Sequence, residues 1–164
     1  VVKRIFTLDL SGMDDSFKSE ANNLLVSWIS RLIDVDSVFL NQLVFFCIST
    51  CPEIWTTETY NSLRKHFDSM IKNLNTIEGA LDSWVLLLKA RSKGNDSEIF
   101  VKCLDYFTDQ VKVSFVKYRG AGIDPIWERI FGIAESICKS SGSNDLLELK
   151  AFCQNGIENL NDFK

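Results

Sequence analysis

The apolar residues of this chain recur at intervals of three and four, and residues 57–74 show the pattern most clearly. A helix has about 3.6 residues per turn, so such residues form one stripe along one face. The stripe in this segment consists of Tyr60, Leu63, Phe67, Met70, Ile71 and Leu74. Similar stripes recur along the chain, and the sequence therefore predicts amphipathic helices that bury their apolar faces against one another.

Helix start and stop signals separate these stripes. Asp124 followed by Pro125 is typical of a helix start, because the first turn tolerates a residue without a backbone N–H. Asn75 and Glu78 have the capping-box spacing, and Gly94 suits a left-handed helix end. About seven helices are predicted by these signals. They cover residues 17–32, 36–49, 52–74 with a break near residues 56 and 57, 77–93, 97–119, 124–139 and 145–160.

Two segments leave the helical pattern. Residues 1–10 alternate weakly between apolar and polar side chains, which predicts a short extended segment at the N-terminus. Residues 111–118, VKVSFVKY, also alternate like a strand, and their pattern does not decide between strand and helix. We expect a helix there, because a strand needs hydrogen-bonding partners and few other segments of the chain read as strands.

The predicted fold is all-α: a single-domain, irregular multi-helix bundle over residues 1–164. A chain of this size buries about 70% of the surface that its unfolded form exposes, so it can form a sizeable core. A HEAT-like helical-repeat fragment is the alternative, although no regular repeat is found in the sequence. Because the chain begins at Val1 rather than at methionine, we expect the domain to be part of a longer protein.

Residues 38–55, VFLNQLVFFCISTCPEIW, form an almost unbroken apolar run. Cys47 and Cys51 would lie one turn apart on a continuous helix, which suits a soft metal. Pro52 and the capping-box spacing around it instead predict that a new helix starts here. We therefore expect both thiols to behave as small hydrophobic residues of the core.

The sequence predicts no active site, no cofactor and no metal. Its five cysteines and single histidine lack the close ligand pairs of structural zinc sites. His66 lies at the edge of the apolar stripe, and we expect a boundary or surface residue because no local motif supplies catalytic partners. Nucleophile-elbow, phosphate-loop and dinucleotide-binding motifs are absent. We therefore predict a protein that is not an enzyme.

Charge and cysteine usage restrict the partners. The odd, widely spread cysteines indicate a reducing compartment, so we expect an intracellular protein of the cytoplasm or nucleus. No apolar run reaches the roughly 20 residues that a membrane span needs. The net charge is −4, which disfavours nucleic acid unless basic residues converge locally.

A basic cluster near the end of the fourth predicted helix contains Lys89, Arg91 and Lys93. Cations at a helix C-terminus are stabilised by the helix dipole, which is a sufficient structural explanation. The cluster is nevertheless the candidate anion-binding site of an alternative function, a nucleic-acid-associated helical domain that uses this local basic patch.

Apolar side chains occupy more than one face of the second, fourth and fifth predicted helices. Either a layered bundle encloses all three, or one apolar face contacts another molecule. The second interpretation predicts a non-catalytic protein-interaction or scaffolding module that binds a partner helix or peptide, or a second copy of itself. The predicted partner-binding residues are Val113, Phe115, Val116 and Tyr118, with the two aromatic residues as exposed anchors.

Overall fold

A computed structural model of the chain describes residues 57–94, 96–141 and 143–162, together with eight helical residues between positions 15 and 27. Five helices lie in the three long ranges: α1 (Thr57–Ile71), α2 (Ile77–Ser92), α3 (Glu98–Tyr118), α4 (Asp124–Lys139) and α5 (Asn144–Asn161). The described residues contain no strand, which confirms the all-α prediction. With the N-terminal helical residues the count is about six helices rather than seven.

Several sequence predictions fall outside the described residues. These are the extended segment of residues 1–10, the helix of residues 36–49, and the cysteine pair Cys47 and Cys51. The assignment of residues 1–164 to one domain likewise stays a prediction.

The stripe predicted for the first long range is the buried face of α1. Its members Tyr60, Leu63, Phe67, Met70 and Ile71 are buried, whereas Leu74 lies beyond the helix end and is exposed. The turn of residues 72–76 then leads into α2, and the Thr76 hydroxyl donates a hydrogen bond of 2.8 Å to the Met70 carbonyl oxygen. The predicted capping box of Asn75 and Glu78 is wrong: Thr76 precedes the helix, and no side chain caps it.

Helix α2 is the most enclosed of the five helices because it contacts α1, α3 and α4. Buried residues, among them Leu81, Trp84 and Leu87, cover most of its circumference, and Glu78, Asp82 and Lys89 lie on the remaining side. The Trp84 indole N–H donates a hydrogen bond of 3.0 Å to the Thr108 hydroxyl of α3. The apolar excess of this helix is therefore core, and none of it needs a partner molecule.

Residues 111–118 are helical, as expected, and continue α3 to its end. Val111, Ser114 and Phe115 are buried, a spacing of three and four that belongs to a helix and not to a strand. Gly94 after α2 and Gly120 after α3 have φ of 101° and 75°, so both helices are followed by glycines in the left-handed conformation that favours this residue.

Helix α4 begins at Asp124, with Pro125 in its first turn as predicted. Asp124 does not cap this helix through its side chain. Its carboxylate instead accepts a hydrogen bond of 2.8 Å from the Gly120 N–H and so closes the preceding loop.

The first four helices form two layers, and α5 does not continue either of them. α1 packs on α3, and α2 packs on α4. A regular repeat would continue with α5 on α3, but α5 packs chiefly on α4, and a cavity of about 390 Å³ is lined by α2, α3 and α5. This departure supports an irregular bundle over the HEAT-like alternative. None of the helices described has the length and apolarity that crossing a membrane requires.

Candidate functional site

The predicted partner-binding residues lie on opposite sides of the last two turns of α3. Val113 and Val116 are 61% and 66% exposed, the highest values among the large hydrophobic residues described. Residues three apart share one side of a helix, so the two valines are neighbours. Phe115 is only 4% exposed, and the prediction of an exposed aromatic anchor at this position is wrong.

Phe115 is part of the core where α3, α4 and α5 meet. Its ring makes edge-to-face contacts with Trp127 and Phe131 of α4, at centroid distances of 5.3 Å and 4.9 Å. A third such contact, at 6.2 Å, joins it to Phe152 of α5. Edge-to-face pairs are favourable for aromatic rings, so Phe115 stabilises the domain and is not available to a partner.

Tyr118 is also less available than predicted, because it is half-buried. Its hydroxyl donates a hydrogen bond of 2.8 Å to the carbonyl oxygen of Lys72, which ties the end of α3 to the turn after α1. The ammonium group of Lys117 lies 4.9 Å from the centre of the Tyr118 ring. Of the two predicted aromatic anchors, neither is a freely exposed side chain.

Basic residues surround the two exposed valines. Lys112 and Lys117 are exposed and flank the valines on either side of the helix, and Arg119 follows at its end. The Lys112 ammonium lies 5.4 Å from the centre of the Phe152 ring, which holds it close to α5. We call Val113 and Val116, together with these three cations, the valine face.

The cavity between α3 and α5 carries the opposite charge. Its walls include Asp105 and Asp109 from α3 and Asp145 and Glu148 from α5. Arg91 from α2 and Lys112 are the two cations in the lining, so carboxylates outnumber cations by four to two. We call this the acidic cavity.

The pKa of Asp105 in the acidic cavity is raised, chiefly because the carboxyl group is partly buried. Burial raises this pKa, the charges of Asp145 and Asp109 raise it further, and Arg91 lowers it without cancelling the other effects. A carboxylate surrounded by like charges is harder to ionise. With four carboxylates against two cations in its lining, the cavity favours a positively charged group over a phosphate group.

The predicted anion-binding cluster is divided by this geometry. Lys89 and Lys93 are exposed near the end of α2, whereas Arg91 is half-buried and lines the acidic cavity. Residues two apart project from different sides of a helix, so Arg91 is separated from Lys89 and Lys93. The acidic cavity was not predicted from the sequence, although two acidic pairs, Asp105 with Asp109 and Asp145 with Glu148, were a signal for it.

His66 is buried, so the prediction of a boundary or surface residue is wrong. Burial lowers its pKa, which favours the neutral imidazole.

Cys103, Cys138 and Cys153 are buried free thiols, and burial raises the pKa of Cys138 to about 11 and of Cys153 to about 12. Across the described part of the chain, no three His, Cys, Asp or Glu side chains are grouped so that they could hold a metal ion.

No protein-family model matches the chain, and neither curated proteins nor solved structures match it.

Proposed function

We propose that this chain is a non-catalytic protein-interaction module that binds another protein through the valine face. The observation that carries the proposal is the exposure of Val113 and Val116 side by side, on a helix whose other large apolar side chains are buried or half-buried. Single exposed hydrophobic residues are common on protein surfaces. Two adjacent valines, both more than 60% exposed, form a small apolar patch with charged residues around it, as at the centre of a protein interface.

The energy available from this patch is sufficient to matter for binding. Fully burying a valine side chain contributes about 1.5 kcal/mol. Covering the exposed parts of both valines therefore contributes about 2 kcal/mol, which corresponds to roughly a thirty-fold change in affinity.

The charges around the patch favour a different protein over a second copy of this chain. In a twofold-symmetric dimer centred between Val113 and Val116, residues equally far from the centre face each other. Lys112 of one copy then faces Lys117 of the other, and like charges across an interface weaken association. A partner that carries acidic residues beside its apolar contact avoids this repulsion.

The test compares the chain of 164 residues with the double variant Val113→Ser/Val116→Ser. The control is Leu147→Ser, which removes an exposed leucine from α5 on the side away from the acidic cavity. Proteins retained by the immobilised chain are identified by quantitative mass spectrometry and purified, and their affinity for all three forms is measured by calorimetry. We expect the double variant to bind about thirty-fold more weakly and the control to bind like the unmodified chain.

Two results would overturn the proposal. One is that no retained protein depends on the valines in a correctly folded double variant. The other is that light scattering detects a dimer of the unmodified chain that the double variant does not form, because the valine face would then be a self-association surface.

A further inference from the structure

We infer that the partner segment is an α-helix that lies antiparallel to α3, with acidic residues at its N-terminal end, apolar residues in the middle and basic residues at its C-terminal end. This inference rests on the proposed function, because it specifies the partner of the same valine face. It draws on a second region of the surface, the acidic cavity.

The exposed side of α3 has an ordered distribution of charge. Asp105, Asp109, Val113 and Val116 follow one another at spacings of three and four, so they share one side of the helix. Lys117 and Arg119 follow at the C-terminal end. At about 1.5 Å per residue, the distance along the axis from Asp105 to Arg119 is about 21 Å. A helix of about four turns covers this distance.

The acidic end of this surface is concave and is completed by a second helix. Asp145 and Glu148 of α5 face the cavity opposite Asp105 and Asp109. The cavity volume of about 390 Å³ is within the range of protein pockets that hold ligands, so it can accept a lysine or arginine side chain. Two cations of α3 lie next to the acidic end, and each is held toward an aromatic ring of another helix. The Lys112 ammonium lies 5.4 Å from the centre of the Phe152 ring, and the Lys102 ammonium lies 5.4 Å from the centre of the Tyr60 ring.

The basic end of the surface has the opposite preference. Lys117 and Arg119 are exposed, and no carboxylate of the described residues forms an ion pair with either of them. An acidic end of the partner helix would therefore meet two exposed cations beside the valines, Arg119 and Lys117, the latter in contact with the Tyr118 ring. Complementary charge contributes chiefly to orientation and to the rate of association.

The direction of the partner follows from the helix dipole. A helix is stabilised by acidic residues in its first turn and basic residues in its last turn. A partner with this ordinary charge distribution matches the surface when its C-terminus lies at the acidic cavity. Because the cavity is nearer the N-terminus of α3 than the valine face is, the two helices are antiparallel.

The test is a selection from a displayed library of helical peptides of about 18 residues, a length that covers the surface described above. The central positions carry apolar residues, and the charged positions of both ends are randomised between glutamate and lysine. Peptides are selected on the chain of 164 residues and counter-selected on the Val113→Ser/Val116→Ser variant. We expect the retained peptides to carry glutamate at the N-terminal end and lysine at the C-terminal end.

A peptide with the same composition and exchanged ends is the matched control for affinity. It is expected to bind at least ten-fold more weakly than a selected peptide, and the difference should decrease at high salt because screening weakens charge interactions. Asp105→Asn/Asp109→Asn should remove the preference for lysine at the C-terminal end. Lys117→Gln/Arg119→Gln should remove the preference for glutamate at the N-terminal end.

The possible failures are distinguishable. If valine-dependent peptides are retained with no charge order, or with the reverse order, the inference about the partner is wrong and the proposed function stands. If no retained peptide depends on the valines while circular dichroism shows the variant to be folded, the proposed function is wrong and the inference fails with it.

Discussion

The ring of Phe131 lies directly against Gly156. A Cβ atom on residue 156 would be 2.7 Å from Cε2 of this ring and 2.9 Å from Cδ2. The ring has little room to move, because Phe115, Trp127 and Phe152 surround it at centroid distances of 4.9, 5.5 and 5.5 Å. The glycine therefore allows the close approach of α4 and α5.

Gly156→Ala is expected to lower the free energy of unfolding by up to about 2 kcal/mol, because the added methyl group overpacks the core at a cost of about 1–3 kcal/mol. The net value allows for the gain of about 1 kcal/mol that alanine brings to a helix interior. Gly132→Ala is the control, since a Cβ there meets no atom within 4 Å, and it should raise stability by about 0.5–1 kcal/mol. Urea denaturation measures both; equal stabilities of the two variants would contradict the close contact.

Phe115→Ala is expected to lower the stability of the domain strongly, whereas Val116→Ser is expected to leave it nearly unchanged. Phe115 is buried among three aromatic rings, so its removal should lower the free energy of unfolding by about 3–5 kcal/mol. Val116 is 66% exposed, and its substitution should change stability by no more than about 0.5 kcal/mol. If denaturation curves showed only a small loss of stability for Phe115→Ala, the burial of Phe115 in the core would be contradicted.

Asp105→Asn is expected to stabilise the protein at neutral pH. The raised pKa of Asp105 means that the folded state disfavours the ionised carboxyl. The stability associated with the protonated form is fully present below the ordinary pKa of 3.8 and is lost as pH rises through the folded value. The stabilising effect of the substitution should therefore fade toward about pH 3 in denaturation experiments.

Two further substitutions are expected to move the pKa of Asp105 in opposite directions. Arg91→Gln removes a charge that lowers this pKa, and Asp145→Asn removes one that raises it. Carboxyl titration by NMR should show a higher pKa in the first variant and a lower pKa in the second. Shifts of the same sign in both variants would be inconsistent with the arrangement of charges in the acidic cavity.

The buried thiols are expected to be unreactive in the folded protein. In a Cys47→Ser/Cys51→Ser background, only Cys103, Cys138 and Cys153 remain, and they should react with a disulfide reagent at about pH 8 only after denaturation, because the thiolate is the reactive form. Rapid reaction of the native protein would show that these thiols are accessible.

The same thiols should make the protein less stable in alkali. Their raised pKa values add stability that is fully present below the ordinary value of 9.0 and is lost as pH rises through about 11 for Cys138 and about 12 for Cys153. Cys138→Ala/Cys153→Ala should reduce the slope of stability against pH above about pH 9. If the slope of stability against pH did not change, groups other than these thiols would account for the loss of stability in alkali.

The local pattern of the sequence was sufficient for the helices and for much of the core. Apolar spacing identified the buried face of α1, and Gly94 marked the end of α2. These features depend on residues within one or two turns of each other. The periodicity of the helix determines which of these residues share a face, so the local sequence is enough to predict them.

Only the tertiary structure decided which apolar residues of α3 remain exposed and which charges lie together. Residues 111–118 alternate like a strand, in which Val113 and Phe115 would share a face; as a helix they instead expose Val113 with Val116 and bury Phe115. The acidic cavity brings together side chains from α2, α3 and α5. Such long-range packing depends on how whole helices fit together, and the spacing of residues within each helix does not contain that information.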